Sequence, residues 1–252
     1  MSDNVLGIIP ARFASTRFPG KPLVDIGGKT MIRRVYEATS KALSNVVVAT
    51  DDKRIYNEVI AFDGKVVMTS PDHQSGTDRC AEALGIYSNT SGEHFEIVIN
   101  IQGDEPFINP VQIETLLECF HDKTTQIATL VKKIDDNQTL FNPNTPKVVV
   151  GSQNQAIYFS RSPIPFLRGI EQAKWHSAHK FYKHIGLYAY RQESLKQLVK
   201  LSPSILEKAE RLEQLRWIEN GFSISVAYTE HENLSIDTPD DLSEILKKTA
   251  LD

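Results

Sequence analysis

The stretch VLGIIPARFASTRFPGKPL, residues 5–23, is the starting point for interpreting the rest of the chain. Its first five residues are apolar, which predicts a buried strand at 5–9. The loop that follows carries Arg12, Arg17 and Lys21, and its three prolines exclude a helix and stiffen the backbone. A long cationic loop directly behind a buried strand indicates a site for an anion rather than an ordinary surface turn.

Apolar β-branched runs alternate with helical patterns through the first half of the chain. The predicted strands are 5–9, 46–49, 65–69 and 96–101, and the predicted helices are 30–43, 53–62, 77–87 and 110–121. Strand–helix alternation of this kind predicts the α/β class, with a mostly parallel sheet, right-handed crossovers and helices on both faces.

The pattern changes after residue 123, where strand-like runs predominate. These runs are 126–134, 147–151, 155–160 and 183–190. The chain is predicted to close with a helix at 204–219, a strand at 223–228 and a helix at 239–248. Because no Gly-, Ser- or Pro-rich linker separates these parts, we expect residues 1–252 to form a single domain, with 124–202 as a β-rich subdomain or extension.

Composition limits the classes of function. The formal charge of −4 argues against bulk affinity for nucleic acid or anionic membrane, and no apolar stretch approaches the ~18 residues that span a bilayer. The two cysteines, Cys80 and Cys119, lack metal or redox spacing and favour a reducing compartment. With no secretory signal apparent, we expect a cytoplasmic protein.

Polar loops follow four successive predicted strands. Ligands bind beyond the carboxyl ends of the strands in open parallel sheets, so we expect these loops at one rim. They contain the cationic loop at 12–21, TDD at 50–52, SPDHQSGTDR at 70–79 and QGDEP at 102–106. Residues 1–34 hold six Lys or Arg against two Asp, which suits a polyphosphate. Neither GxxxxGK[ST] nor GxGxxG is present, so side-chain cations and loop amides would hold the phosphates.

Two carboxylates are candidates for a metal site. Asp104 lies in QGDEP, where a turn role explains the residue equally well when it is taken alone. Asp237 precedes a helix start in which Thr238 is the N-cap and Asp241 completes a capping-box-like arrangement, so capping leaves Asp237 without a structural task. Mg²⁺ prefers one or two carboxylates plus substrate oxygens, and both residues fit such a site near a polyphosphate.

Three residues of the later segments leave alternatives open. His184 lies in an aromatic-rich strand, where a core histidine is the more common role. Gln214 lies on the predicted helix 204–219, away from an apolar stripe that begins at Ile205, and it faces either solvent, the default, or a site. Arg168 fits a surface charge as well as a ligand contact.

Eight segments together resemble the 3-deoxy-manno-octulosonate cytidylyltransferase (CMP-Kdo synthetase) family. In chain order they are IIPARFASTRFPGKPL, VATDD, DHQSGTDR, NIQGDEPFI, YFSRSPIP, YKHIGLYAYR, LEKAERLEQLRW and IDTPDDL. The first is shared loosely with CMP-sialate synthetases and other sugar nucleotidyltransferases, whereas DHQSGT, QGDEP and LEQLR point to this family more narrowly. The match is collinear from about residue 5 to residue 248.

The resemblance implies a Rossmann-like nucleotidyltransferase (GT-A-like) fold and a homodimer built largely from the β-rich middle of the chain. The implied reaction transfers CMP from CTP to the anomeric hydroxyl of 3-deoxy-D-manno-octulosonate (Kdo), with magnesium, and gives CMP-Kdo and pyrophosphate for lipopolysaccharide biosynthesis. The implied partners are therefore the small molecules CTP and a sugar acid, and neither nucleic acid nor a membrane.

The resemblance also implies roles by position. The implied nucleotide-binding residues are Arg12, Lys21, Ser75, Gly76, Arg79 and Gln102. The implied metal ligands are Asp104 and Asp237, which with Arg12 and Lys21 form the implied catalytic group. The implied sugar-acid residues are Arg168, His184, Tyr188, Glu213 and Gln214. The segment around Arg168, PFLRGIEQAKWHSAHKF, departs from several relatives in length and content.

Two other functions remain open at this stage. A cytidylyltransferase for a related sugar acid, either 8-amino-Kdo or sialic acid, would share the nucleotide half and differ only around residues 184–214. A non-catalytic nucleotide-binding protein would keep the fold but is expected to lose the metal carboxylates, and both Asp104 and Asp237 are present.

Overall fold

The computed structural model describes residues 4–14, 18–232 and 234–248. These residues fall into two compact units. The first contains the residues up to Ile113 together with those from 234 onward, and the second is Glu114–Glu232. The segment 124–202 lies within the second unit, and its role as an extension of a single domain stays a prediction.

The helices and strands of the described residues largely follow the sequence prediction. The strands are β1 (Val5–Ala11), β2 (Val46–Thr50), β3 (Val66–Met68), β4 (Ile97–Asn100), β5 (Ile127–Lys133), β6 (Lys147–Val150), β7 (Ala156–Ser160), β8 (Tyr182–Arg191) and β9 (Ile224–Tyr228). The α-helices are α1 (Met31–Thr39), α2 (Lys53–Ala61), α3 (Gly76–Ser91), α4 (Pro110–Glu118), α5 (Asn137–Phe141), α6 (Trp175–Ala178), α7 (Gln192–Leu198), α8 (Ile205–Glu210), α9 (Gln214–Glu219) and α10 (Pro239–Lys248). Predicted ends shift by a few residues, and α5, α6 and α7 were not predicted.

The first unit contains a parallel sheet with the strand order β3-β2-β1-β4. All residues of β2 and β4 and nearly all of β1 are buried, because a parallel sheet is normally covered on both faces. Pro10 lies beyond the end of the β1–β4 ladder, so its missing N–H removes no pair with β4. The prediction of a parallel sheet from strand–helix alternation is confirmed.

Two helices of the first unit begin with side-chain caps immediately behind strands. The Asp52 carboxylate accepts a hydrogen bond from Arg54 N at 2.8 Å at the start of α2. The Ser75 hydroxyl accepts one from Asp78 N at 3.1 Å at the start of α3. Such caps satisfy backbone donors that the helix itself leaves unpaired. They therefore fix where the loops behind β2 and β3 end.

The closing helix α10 belongs to the first unit. Its cap is the predicted one: Thr238 Oγ1 accepts from Asp241 N at 3.2 Å, and Asp241 Oδ2 accepts from Thr238 N at 2.8 Å. Ile236, just before the cap, is fully buried in an apolar cluster with Ile26, Met31 and Ile245. Burial of this side chain anchors the segment that carries the neighbouring Asp237.

The second unit contains a mixed sheet. Strand β5 pairs antiparallel with β8 and parallel with β9, and β6 pairs antiparallel with both β7 and β8. A separate apolar cluster of this unit consists of Ile134, Leu140, Trp175 and Phe181. The strand-rich texture predicted after residue 123 is therefore confirmed.

The prediction of one helix over 204–219 is wrong. The chain forms α8 and α9 instead, because Arg211 adopts a left-handed conformation (φ 52°) that ends α8. Arg216 on α9 closes the break with two hydrogen bonds to the Glu207 carboxylate, at 2.7 and 2.5 Å. The expected apolar stripe is also interrupted, since Ile205 is 81% exposed.

None of the helices in the described ranges is long and apolar enough to cross a membrane.

Candidate active site

A hydrogen bond from Gly20 closes the cationic loop that follows β1. Gly20 has φ 74°, which favours glycine, and its N–H donates to Phe13 O at 3.0 Å. Lys21 then begins a short 3-10 turn, Lys21–Leu23. Arg12 directly follows β1 and is exposed. Arg17, the third cation predicted for this loop, lies outside the described residues.

Lys21 joins the two candidate metal ligands. Its Nζ donates to Asp104 Oδ2 at 2.7 Å and to Asp237 Oδ1 at 3.2 Å. The Lys21 side chain is only 13% exposed, so the ammonium is held between the carboxylates and does not extend into solvent. The two aspartates, 133 positions apart in the chain, are thus brought to one place.

A backbone contact sets the approach of the two aspartates. Ile236 N donates to Asp104 O at 3.0 Å, which pins the closing segment to the loop behind β4. Asp237 N donates to Asp241 Oδ2 at 3.0 Å, so the cap occupies the Asp237 backbone while its side chain reaches Lys21. The cap is formed by the side chains of Thr238 and Asp241, and the Asp237 carboxylate contacts Lys21 instead, as the sequence predicts.

Arg79 lies on the first turn of α3 and is 4% exposed. Its guanidinium donates to Thr69 Oγ1 at 2.6 Å and to Asp51 Oδ2 at 2.7 Å. These acceptors follow β3 and β2, so two consecutive strand–helix connections fix one cation. Ser75 and Gly76 form the start of the same helix, and a Cβ on Gly76 would lie 3.5 Å from Asn100.

Arg12, Lys21 and Arg79 line one cavity of about 250 Å³ together with the two aspartates. Its lining residues are Pro10, Ala11, Arg12, Lys21, Pro22, His73, Gln74, Ser75, Gly76, Arg79, Gln102, Gly103, Asp104 and Asp237. All eight residues predicted to bind nucleotide or metal are among them. Three Arg or Lys cations against two carboxylates suit a ligand with several negative charges.

His73 and Gln74 line the cavity but were not predicted as site residues. His73 Nε2 lies 2.5 Å from Glu82 Oε2 on α3, and Ser70 N donates to the same oxygen at 2.8 Å. Burial alone would raise the pKa of Glu82, but these two hydrogen bonds outweigh it and lower the pKa. His73 is thus oriented by a carboxylate nine positions away, a distance that no sequence motif marks.

Asp104 and Asp237 offer the oxygen donors that a hard divalent cation requires. Within the described part of the chain, no third carboxylate, histidine or cysteine joins them as a metal-binding group. Mg²⁺ accepts such a site, since it usually takes one or two carboxylates and completes its shell with water and substrate phosphate. The residues therefore fit magnesium, with Lys21 Nζ as the positive charge that neutralises the pair in the structure.

Gly103 permits the close approach of the loop behind β4 to β1. A Cβ built on Gly103 would lie 2.7 Å from Pro10 O, a backbone atom that cannot move aside. We expect Gly103→Ala to destabilise the protein by about 2 kcal/mol through overpacking and to raise the Kd of the nucleotide. Chemical denaturation and calorimetric titration measure both effects.

Gly85, inside α3, provides the control for that substitution. A Cβ there meets nothing within 4 Å, so Gly85→Ala is expected to stabilise the protein by about 1 kcal/mol through helix propensity. Equal stability changes in the two variants would show that the contact with Pro10 is not limiting.

The second unit brings together some of the predicted sugar-acid residues. The rings of His184 and Tyr188 lie 5.1 Å apart between centroids, and Phe159 packs against the other side of His184 at 5.3 Å. Burial, followed by the charges of Tyr190 and Glu213, raises the pKa of the Tyr188 phenol well above its ordinary value. That influence places Glu213 in the electrostatic environment of Tyr188.

Gln214 is 5% exposed, so the default expectation that it faces solvent is wrong. The break at Arg211 starts a new helix at Gln214, and this residue therefore does not lie on the outer face of one continuous helix. Arg168 is exposed in the loop after β7. No contact in the structure joins Arg168 to the His184–Tyr188 pair.

Two buried polar atoms beside this pair have no hydrogen-bond partner among the described residues, namely the Tyr188 hydroxyl and Trp217 Nε1. The Thr129 hydroxyl is close to the Tyr188 phenol, but the contact lacks hydrogen-bond geometry. The Trp217 ring packs edge-on against Tyr188 at 5.0 Å. Unpaired buried donors cost about 1–3 kcal/mol each.

His184 makes the stability of the protein depend on pH. His184 is only partly exposed. Burial of the imidazole disfavours its charged form and lowers the pKa of His184 to about 4. The unfolded chain, with an ordinary histidine pKa of about 6.5, binds more protons between these two values. Stability is therefore fully present above pH 6.5 and is lost as the pH falls toward 4.

We expect the shifted pKa of His184 to lower the free energy of unfolding by about 2 kcal/mol as the pH falls from 6.5 to 5. Urea unfolding of His184→Gln at several pH values should show a shallower slope than the unmodified protein over that interval. The exposed His94 supplies the control variant His94→Gln, whose slope should match that of the unmodified protein. An unchanged slope in His184→Gln would contradict the assignment.

The chain is similar to several known proteins. The sequence profile of the family described as Cytidylyltransferase matches residues 6–230. The chain is 58% identical to the 3-deoxy-manno-octulosonate cytidylyltransferase of Parabacteroides distasonis, covering 96% of each chain. It is 56% identical to the protein of the same name from Phocaeicola vulgatus, covering 94% of each. A solved structure of CMP:2-keto-3-deoxy-manno-octonic acid synthetase complexed with CTP matches with a TM-score of 0.87 and 41% identity, covering 97% of each chain.

Proposed function

Because this chain belongs to the 3-deoxy-manno-octulosonate cytidylyltransferase family, we propose that it transfers CMP from CTP to the anomeric hydroxyl of Kdo and releases pyrophosphate. The observation that carries this proposal is the convergence of Lys21, Asp104 and Asp237 in one cavity. The CMP-Kdo formed would serve lipopolysaccharide biosynthesis.

The cavity residues divide into two groups of roles in this reaction. Arg12 and Lys21 bind the triphosphate and offset the charge that builds on it during transfer. Ser75, Gly76, Arg79 and Gln102 enclose the cytidine. Arg79 is held by Asp51 and Thr69, so it is preorganised before the nucleotide arrives.

Asp104 and Asp237 would hold Mg²⁺. When bound, the ion supplies Lewis-acid activation of the attacking hydroxyl and charge neutralisation on the phosphates. Lys21 must then exchange its carboxylate partners for phosphate oxygens, which its flexible stem permits.

In this transfer the protein positions the reactants and stabilises negative charge, and it forms no covalent bond to them. The anomeric oxygen of the sugar acid forms a bond to the α-phosphorus in line with the α–β bridging oxygen. The bond to that oxygen breaks, and pyrophosphate leaves with the electron pair. The hydroxyl proton passes to solvent, and Asp104 is able to assist as an acceptor.

His184, Tyr188, Glu213 and Gln214 are proposed to bind the sugar acid. Support comes from the ring contact between His184 and Tyr188 and from the burial of Gln214. Arg168 remains a proposed contact to the sugar carboxylate on the strength of the resemblance alone.

The test is pyrophosphate release from CTP and Mg²⁺ with Kdo, 8-amino-Kdo and sialic acid supplied separately. We expect release with Kdo. Release only with 8-amino-Kdo or sialic acid would assign the chain to a related sugar acid, and CTP binding without release in any arm would favour a non-catalytic nucleotide-binding protein.

We further propose a cytoplasmic homodimer, as the resemblance implies. Neither Cys80 nor Cys119 forms a disulfide, which is consistent with a reducing compartment. Light scattering at micromolar concentration tests the dimer, and a monomeric mass would reject it.

A further inference from the structure

A β-bulge interrupts the pairing between β5 and β8, and β8 carries His184 and Tyr188 of the proposed sugar site. In the β5–β8 ladder Thr129 pairs with Tyr188 and the next residue, Leu130, pairs with Ile185. Gly186 and Leu187 are therefore extra residues on β8. A bulge of this kind redirects side chains and is often found beside functional sites.

The bulge explains why two aromatic rings of β8 meet. His184 pairs with Val131 and Tyr188 with Thr129, and these positions of β5 are two residues apart on one face of the strand. If the register of His184 and Ile185 continued without a bulge, Tyr188 would pair with Ile127, two residues farther along β5. The bulge thus brings Tyr188 next to His184.

The Thr129 hydroxyl satisfies the backbone carbonyls that the bulge displaces. Thr129 Oγ1 lies 2.9 Å from Leu187 O and 3.3 Å from Ile185 O. It also lies 3.1 Å from His184 Nε2. Carbonyl oxygens only accept hydrogen bonds, so the single hydroxyl proton of Thr129 is directed to them, with Leu187 O the nearer.

This arrangement favours one tautomer of His184. When Thr129 donates its proton to Leu187 O, Oγ1 acts as an acceptor toward Nε2, and Nε2 then carries the hydrogen. The ring stays neutral near pH 7, because its surroundings lower the pKa of His184 to about 4. Nδ1 then keeps its lone pair, and the His184 residue is partly exposed.

We propose that Thr129 is a positioning residue that fixes His184 in the Nε2–H form, so that Nδ1 accepts a hydrogen bond from a hydroxyl of the sugar acid. The proposal rests on the proposed function for the identity of the ligand. It assigns to Thr129 no contact with the substrate.

Thr129→Val keeps the shape of the side chain and removes the hydroxyl, whereas Thr129→Ser keeps the hydroxyl. Long-range ¹H–¹⁵N correlation spectra of histidine-labelled protein report which ring nitrogen carries the proton. We expect a single Nε2–H form in the unmodified protein and in Thr129→Ser, and a mixture of tautomers in Thr129→Val. We expect the KM for the sugar acid to rise about tenfold in Thr129→Val, while the KM for CTP changes less than about twofold.

Thr125→Val is the matched control. Thr125 is a buried threonine whose hydroxyl donates to Cys119 O at 2.8 Å and lies 3.3 Å from Ser225 Oγ, not beside His184. This variant should lose comparable stability and keep both the tautomer and the sugar-acid KM.

Two results would overturn the proposal: an unchanged His184 tautomer in Thr129→Val, or a shifted tautomer with an unchanged sugar-acid KM. Failure of the proposed function is distinguishable, because it appears as absent turnover in the unmodified protein with every sugar acid. The tautomer spectra test the Thr129–His184 bond in that case as well.

Discussion

Asp104→Asn is expected to lower kcat on the order of 10³-fold, the largest effect of any substitution considered. The amide keeps the size of the side chain but removes one of the two negative charges that face Lys21 Nζ. The hydrogen bond from Ile236 N to Asp104 O uses the backbone, so the fold of the site is preserved. CTP binding should therefore remain measurable by calorimetry while turnover collapses.

Asp135→Asn provides the control for that measurement. Asp135 is exposed and ion-paired to Lys133 at 2.5 Å in the second unit, and its replacement should leave kcat within about twofold because exposed pairs contribute little. Turnover of Asp104→Asn close to that of the unmodified protein would remove Asp104 from the mechanism.

Lys21→Met is expected to produce two opposite changes. It removes a cation from the cavity, so kcat/KM for CTP should fall on the order of 10²-fold. It also leaves Asp104 and Asp237 facing each other without the ammonium that neutralises them, and like charges favour a replacement cation. We therefore expect the affinity of the nucleotide-free protein for Mn²⁺, measured by electron paramagnetic resonance, to increase about tenfold.

Lys29→Met serves as the comparison for Lys21→Met. Lys29 forms a partly exposed ion pair with Glu37 at 2.6 Å in the same unit, away from the two aspartates, and its loss should change neither quantity. If Lys21→Met binds Mn²⁺ no better than Lys29→Met does, then Lys21 does not compete with a metal ion for the two carboxylates.

The predicted cavity residues other than Asp237 could be found from sequence because they lie in loops or helix starts that follow identifiable strands. Arg12 and Gln102 come directly behind β1 and β4, and the polar loops of a parallel sheet meet at one rim. Asp237 could be predicted for a different reason. In the sequence, Thr238 and Asp241 account for the neighbouring cap, so the Asp237 carboxylate is not needed for capping.

Other features depend on tertiary contacts that no local pattern reports. The left-handed conformation of Arg211 divides a stretch with continuous helical character, and it converts Gln214 from an expected surface residue into a buried one. Thr129 looks like any β-branched strand residue, and its role depends on a register shift in the partner strand. His73 is oriented by Glu82, which lies on a different element.

The position of Asp237 in the chain sets the point of synthesis at which the site can be completed. A ribosome releases Arg12, Lys21 and Asp104 early, then the whole of Glu114–Glu232, and only afterwards the second carboxylate. A polypeptide that terminates before residue 233 thus carries the cations and half of the acidic pair. Synthesis must pass residue 237 before the pocket is assembled, so a polypeptide that terminates before that residue is expected to show no partial activity.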